Sequence, residues 1–121
     1  MAACPSSPNC VSSDAAETGQ QIEPLRLTVS AEDAWQAAQA AVAALPGAKV
    51  TRVENHYVRV ECRSTVFGFV DDLELHLRPT ERLIAIRSAA RLGYFDFGVN
   101  RKRVEKLRSE LIAQGVLEQP R

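Results

Sequence analysis

Between residues 57 and 91 apolar and polar residues alternate with a period of two, segment after segment. That period sends successive side chains to opposite faces of an extended chain. In 57–63, Val58, Val60 and Cys62 alternate with Arg59, Glu61 and Arg63. In 67–77, Phe67, Phe69, Asp71, Leu73, Leu75 and Leu77 alternate with Val70, Asp72, Glu74 and His76. In 82–91, Ile84, Ile86, Ser88 and Ala90 alternate with Ala85, Arg87, Ala89 and Arg91. A weaker strand at 49–54 precedes them, Asn55-His56 offers a tight turn, and 78–81 offers the next. One face of the resulting sheet is apolar and the other charged, as in an antiparallel sheet covered on one side. Arg59, Glu61, Arg63, Asp72, Glu74, Arg87 and Arg91 fall on the outer face, in cross-strand pairs worth about 0.2–1 kcal/mol each.

Two helices flank this sheet. Ser30 is an N-cap with Asp33 three residues on. Trp35, Ala38, Val42 and Leu45 then form a narrow stripe, with Trp35 as its anchor, and Pro46-Gly47 ends it. The second helix spans about 98–113. Val104, Leu107 and Leu111 form its stripe, Asn100 lies on that stripe one turn earlier, Asp96 suits the N-cap, and Gly115 suits C′. The expected fold is α+β: a two-layer sandwich with a four-stranded, mainly antiparallel sheet and both helices on one face, in the order α-β-β-β-β-α. The chain's 121 residues allow one domain. Its expected limits are 25–121, entered by a short extended piece at 25–29. Residues 1–24 are rich in Pro, Ser, Asn and Gly, with Val11 and Ile22 as their only sizeable aliphatics, and are expected to be a flexible tail.

Fifteen basic residues balance fifteen acidic ones, so no global charge points to nucleic acid or an anionic membrane. The balance hides a split. Residues 1–81 carry 6 Lys/Arg against 11 Asp/Glu, and 82–121 carry 9 against 4. The halves either complement each other within one domain or leave a basic face for an anionic partner. The run Asn100-Arg101-Lys102-Arg103 is short and followed by Glu105 and Glu110, which argues against nucleic acid. No uncharged apolar run approaches the roughly 18 residues of a membrane span. Cys4, Cys10, His56 and His76 lack metal-ligand spacing. Nucleotide-loop, nucleophile-elbow and zinc-protease motifs are absent. No metal, cofactor or catalytic residue is assigned.

Asp71 breaks the pattern. It is in phase with Phe69 and Leu73, so it points toward the core, where an unpaired carboxylate is costly. Either a bulge at Asp71-Asp72 turns it outward, or it has a buried partner: Arg87, Arg91, the Asn100 amide or the open N–H groups of the last helix. Arg101, Lys102 and Arg103 begin that helix, where the macrodipole disfavours cations by some tenths of a kcal/mol. Carboxylates such as Asp71, Asp72 and Asp96 offset this, or an anionic ligand does. The candidate corner therefore comprises Asp71, Asp72, Arg87, Ser88, Arg91, Asp96, Asn100 and Arg103. Phe67, Phe69, Tyr94, Phe95 and Phe97 gather in two short stretches beside it, as a partner patch or pocket lining, or as a satellite core under the last helix. Cys62 faces the core as packing. Cys4 and Cys10 flank a Pro8-Asn9 turn. They are free thiols in a cytosol or a disulfide in an oxidising space, or Met1-Ala-Ala-Cys4 is the end of a lipoprotein cleavage box with Cys4 lipidated.

Three stretches carry a resemblance. Cys4-Pro-Ser-Ser-Pro-Asn-Cys10-Val-Ser-Ser13, Phe67-Gly-Phe-Val-Asp-Asp72 and Arg87-Ser-Ala-Ala-Arg-Leu-Gly-Tyr-Phe-Asp-Phe-Gly-Val-Asn-Arg-Lys-Arg103 are similar, in order, to the three motifs of the domain-of-unknown-function family 1499. The resemblance implies one domain and supplies no mechanism. Many members of that family carry an export signal, lipid anchor or membrane segment upstream. This implies an exported, membrane-anchored alternative to the cytoplasmic location expected of the chain as given. Ala89 and Phe95 stand where the family more often has small polar residues. Three functional readings remain. One is a non-catalytic module binding a protein or small anionic ligand at the corner, with membrane contact only through a lipid on Cys4. Another is an enzyme with Asp71 as general base beside an Arg and helix-N-terminus anion clamp. In the third, the motifs serve structure alone.

Overall fold

The computed structural model describes residues 1–65 and 67–121. In chain order its elements are β1 (Cys10–Ser12), a 3-10 turn (Thr18–Gln20), β2 (Leu25–Arg26), α1 (Ala31–Ala43), β3 (Ala48–Glu54), β4 (Tyr57–Arg63), β5 (Val70–Arg78), β6 (Leu83–Ala90) and α2 (Val99–Ala113). The sheet order is β1-β6-β5-β4-β3, with β2 also on β6, and every strand pair is antiparallel. The alternating segments make the meander β3 to β6, joined at Asn55-His56 by the two-residue turn read from the sequence. Val60 lies opposite Leu73 and Leu73 opposite Ser88, while Val58, Leu75 and Ile86 form the next row. These rows meet Trp35, Ala38 and Val42 of α1 and Val104, Leu107 and Leu111 of α2 in one core. Each fully buried aliphatic there contributes about 1.5–3 kcal/mol.

The α1 cap acts as the sequence indicated, whereas the N-cap position of α2 is taken by Gly98, at φ +77°, and Asp96, expected there, serves the helix from two residues earlier. Ser30 Oγ accepts the Asp33 N–H at 3.1 Å, and α1 runs until Pro46-Gly47. Gly47 is required twice over. Its φ is +68°, and a Cβ there would stand 2.1 Å from the Arg63 carbonyl oxygen.

Three expectations need correction. The sheet has six strands rather than four, because the segment before residue 25 is part of it. Cys10, Val11 and Ser12 pair with Ala89, Ser88 and Arg87, and Leu25 pairs with Ile84. Residues 1–24 are therefore not a bare tail; Asn9, Cys10, Val11, Ser12, Gln20 and Ile22 are all buried. The low aliphatic content misled because Val11 and Ile22 enter a core built by other elements. The backbones of Cys10–Ser12 and Leu25–Arg26 also cover the outer edge of β6, which would otherwise be open. Secondly, the third strand begins at Val70 and not at 67; Gly68, at φ +67°, takes the chain out of extended geometry before it. Lastly, Asp72, Glu74 and Arg87 on the charged face are buried rather than solvated. Segment 1–4 contributes to this cover, and Arg87 Nη2 donates to the Ala3 carbonyl at 3.3 Å.

Candidate functional site

The site lies where β5 begins, β6 ends and α2 starts. Asp96 organises the helix entrance. Its carboxylate accepts the Gly98 N–H at 2.9 Å, the Asn100 N–H at 3.1 Å and the Asn100 side-chain amide at 2.9 Å. Burial works against its charge, but the Asn100 amide and these backbone N–H groups outweigh it and hold the carboxyl below its ordinary range. Asn100 is fully buried. Its Oδ1 accepts from Ser88 Oγ at 2.7 Å and Arg103 Nη1 at 2.9 Å, while its Nδ2 also donates to the Asn9 carbonyl at 3.3 Å.

Asp71 does point to the helix-covered face, and no bulge turns it away, since its register with Cys62 and Ala90 is regular. Its partner is Arg103, whose Nη2 donates to Asp71 Oδ2 at 2.7 Å. Arg87 and Arg91 are corrected out of that role. They alternate with Ser88 and Ala90 and so project from the opposite face. Arg103 follows Asn100 by one helical turn and shares its face.

The second arginine cluster occupies that opposite face. Asp72 lies between Arg91 at 2.7 Å and Arg59 at 3.3 Å, and Arg91 also reaches Glu61 at 3.2 Å. Burial opposes the charge on Asp72, yet hydrogen bonds from the two arginines prevail and keep its carboxyl low. Further along, Arg87 donates to Glu74 at 3.0 Å and the Tyr57 hydroxyl donates to the same carboxylate at 2.6 Å. Burial, and then the bond to Glu74, push the Tyr57 hydroxyl up to about 12. The eight predicted corner residues thus form two layers separated by the sheet rather than one constellation. Asp71, Ser88, Asp96, Asn100 and Arg103 are in the helix layer; Asp72, Arg87 and Arg91 are in the other.

Two shallow hollows, of about 350 and 340 Å³, lie elsewhere. Met1, Arg52, Glu54, Tyr57 and Glu74 line one; Ser7, Pro8, Glu17, Gln20 and Tyr94 line the other. Among the described residues, no group of three or more His, Cys, Asp or Glu is placed to hold a metal ion.

Above the polar network stands an apolar cluster. Phe67, Phe69, Leu92, Tyr94, Phe95, Phe97 and Val99 are all exposed, Phe97 by 93% and Leu92 by 81%. They occupy the loop that enters β5, the loop that leaves β6 and, with Val99, the first residue of α2, all at the end of the sheet where the Arg91 N–H bonds the Val70 carbonyl at 3.0 Å. Phe67 packs on Phe69, with centroids 5.7 Å apart, and Tyr94 meets Phe95 edge-on at 4.8 Å. The satellite-core reading of these aromatics is corrected: they face outward. Phe97 also holds a left-handed backbone, φ 55°, which costs energy for a non-glycine residue and here brings no packing in return.

Cys4 and Cys10 are joined in a disulfide, with Cα atoms 5.8 Å apart. The closed loop presents Asn9, whose Nδ2 donates to the Gly93 carbonyl at 2.8 Å and whose own carbonyl accepts the Ala90 N–H at 2.9 Å. The N-terminal segment therefore braces the loop that carries Tyr94, Phe95 and Phe97. Cys62 is buried and free, and burial raises its thiol.

The disulfide loop, the start of β5 and the entrance to α2 are thus one structural unit, although they are far apart in the chain. A family model described as "Protein of unknown function (DUF1499)" matches residues 1–111 and takes in all three. The chain belongs to the DUF1499 family. Neither a curated protein nor a solved structure matches it. The match to the DUF1499 model begins at residue 1, so the segment read as a tail lies inside the family domain.

Sequence reasoning missed several residues of this DUF1499 domain. Asn9 was hidden in the supposed tail. Arg108, nearly fully buried, donates to the Pro24 and Glu23 carbonyls at 3.0 and 2.6 Å and fixes the approach to β2. Its signal was an arginine next to Leu107 on the buried side of α2. The Tyr57–Glu74 bond was foreshadowed only by two polar groups of one sheet face.

Proposed function

We propose that this DUF1499 domain is a non-catalytic binding module whose working surface is the aromatic cluster on the loops at 67–69 and 92–99. One observation carries the reading: seven large apolar side chains stand in solvent at one end of the sheet. Exposed large apolar side chains gathered at one end of a domain mark candidate contact sites. The polar corner beneath supports the loops rather than meeting the ligand itself. Asn100 and Ser88 are fully buried, and Asp71 is held by Arg103. A general base needs a carboxylate free to take a proton, so these contacts favour binding over the catalytic alternative. The Cys4–Cys10 bridge supports work in an oxidising compartment over the cytoplasm. It also competes with lipidation, since one sulfur cannot serve both.

The test is site-specific photo-crosslinking in the native cell. A photoreactive residue at Phe97 or Phe95 is expected to yield discrete adducts that are absent when the same group replaces exposed Gln119. Equal yields at all three positions would refute the assignment.

A further inference from the structure

We infer, building on that reading of the aromatic cluster, that its occupant is the interfacial zone of an anionic lipid bilayer. Three observations converge. The cluster is a set of projecting tips rather than a groove. Phe67, Leu92, Phe95 and Phe97 are each at least 71% exposed. A protein partner gains affinity by filling concave pockets or extending a strand edge. Projecting Phe, Tyr and Leu side chains instead suit a deformable medium, which closes around whatever shape they present. Secondly, the loops that carry them are themselves mainly basic, although Glu17 lines the hollow beside Tyr94. Segments 63–70 and 91–103 contain Arg63, Arg91, Arg101, Lys102 and Arg103 against the single carboxylate of Asp96. Asp96 is engaged by the α2 entrance, and Arg91 and Arg103 are engaged by acids of the sheet. Arg63 and Arg101 donate to backbone carbonyls, of Gly68 and Gly19, so their charges are not neutralised there. Arg63, Arg101 and Lys102 are all exposed. Apolar tips on loops that also carry exposed cations match the acyl–headgroup boundary of an anionic leaflet. Thirdly, insertion stays shallow. The loops' backbone groups remain at headgroup depth, where water still satisfies them. The polar network of Asp96, Asn100 and Ser88 holds the loops in place from below.

The experiment is co-sedimentation of the full chain, disulfide intact, with vesicles of phosphatidylcholine alone and of phosphatidylcholine mixed with phosphatidylglycerol. Binding to the mixed vesicles is expected, weakening with added salt. Phe95→Ser with Phe97→Ser is expected to weaken it by on the order of tenfold or more, since burial of each ring is lost. Arg101→Gln with Lys102→Gln is expected to weaken it by about fivefold per charge removed. Unchanged thermal unfolding of both variants, whose side chains are exposed, shows that the fold is intact. Equal binding to both vesicle types, or binding that survives loss of the two rings, overturns the inference. So does failure of the wild-type chain to sediment. If crosslinks from Phe97 then run to a protein, the cluster remains the working surface and the bilayer alone is rejected. If they run to nothing, both readings fall.

Discussion

Asp71→Ala should lower stability substantially, because it leaves the Arg103 guanidinium under the sheet without its counter-charge. The two side chains are only 13% and 16% exposed, and their atoms are 2.7 Å apart. Removing one partner of a buried pair costs about 3–5 kcal/mol. Arg103 keeps two acceptors through Nη1, Ser88 Oγ at 3.2 Å and Asn100 Oδ1 at 2.9 Å. Those bonds and the residual exposure bring the expectation to about 2–3 kcal/mol. With a urea slope of about 1–3 kcal/mol per M for a small domain, the midpoint should fall by about 0.7–3 M with the slope unchanged. Asp71→Leu combined with Arg103→Met should recover most of the loss, since Ser88 and Asn100 remain bonded to each other and no charge is stranded. A loss below about 0.5 kcal/mol for Asp71→Ala would place the pair among ordinary exposed bridges. A double variant no more stable than the single one would show that the pair is not what secures this corner.

Asp96→Ala should cost about 0.5–2 kcal/mol as a lost cap. The Asp96 contribution is present at neutral pH and is lost as pH falls through its depressed folded value, below the ordinary 3.9 or so, so the gap between variant and wild type should close in acid unfolding curves. Spectrophotometric titration should show a tyrosine ionising near 12, and Tyr57→Phe should remove that phase. The raised value stabilises the fold below the unfolded pKa of about 10, an effect lost as pH climbs through 12. Gly47→Ala should destabilise by about 1–3 kcal/mol in thermal unfolding, from its positive φ and from a Cβ 2.1 Å from the Arg63 carbonyl oxygen. Reduction of the Cys4–Cys10 bridge, which closes a short loop, should lower stability by about 2 kcal/mol and speed amide exchange at Gly93 and Tyr94, measured by mass spectrometry.

Period-two alternation made the meander legible, because each inward residue from Val58 to Ile86 had one buried face to meet. Ser30 and Pro46-Gly47 were legible because caps and breakers act within a turn of themselves, whereas Asp96 was read two residues too near the helix, whose N-cap is Gly98. The N-terminal strand was not, since its stability comes from the β6 edge and nothing within residues 10–12 announces that edge. Phase also set the limit at Asp71. Alternation placed its carboxylate inward, and the same alternation sends Arg87 and Arg91 outward, so the partner had to come from the helix. Arg103 was there to be found, one turn beyond Asn100. The aromatics misled because composition alone favours burial of Phe. Three glycines with positive φ, Gly68, Gly93 and Gly98, are the local sign that these segments leave regular structure.

This end of the domain places polar groups inside and apolar groups outside. Asn100 and Ser88 place polar side chains at fully buried positions, while Phe67, Phe95 and Phe97 remain in water. Buried polar networks fix geometry more sharply than apolar packing, because every donor must meet its acceptor. Here each donor is tied to the loop or to its supports: Asn100 to Asp96 and Asn9, Asn9 to Gly93, and Arg103 to Asp71. The arrangement holds a mobile class of structure, an eight-residue loop between β6 and α2, in one place. Its outward rings are then presented with little ordering entropy left to lose on contact. A binding loop gains from that rigidity. A loop with no partner would gain nothing from exposed aromatics.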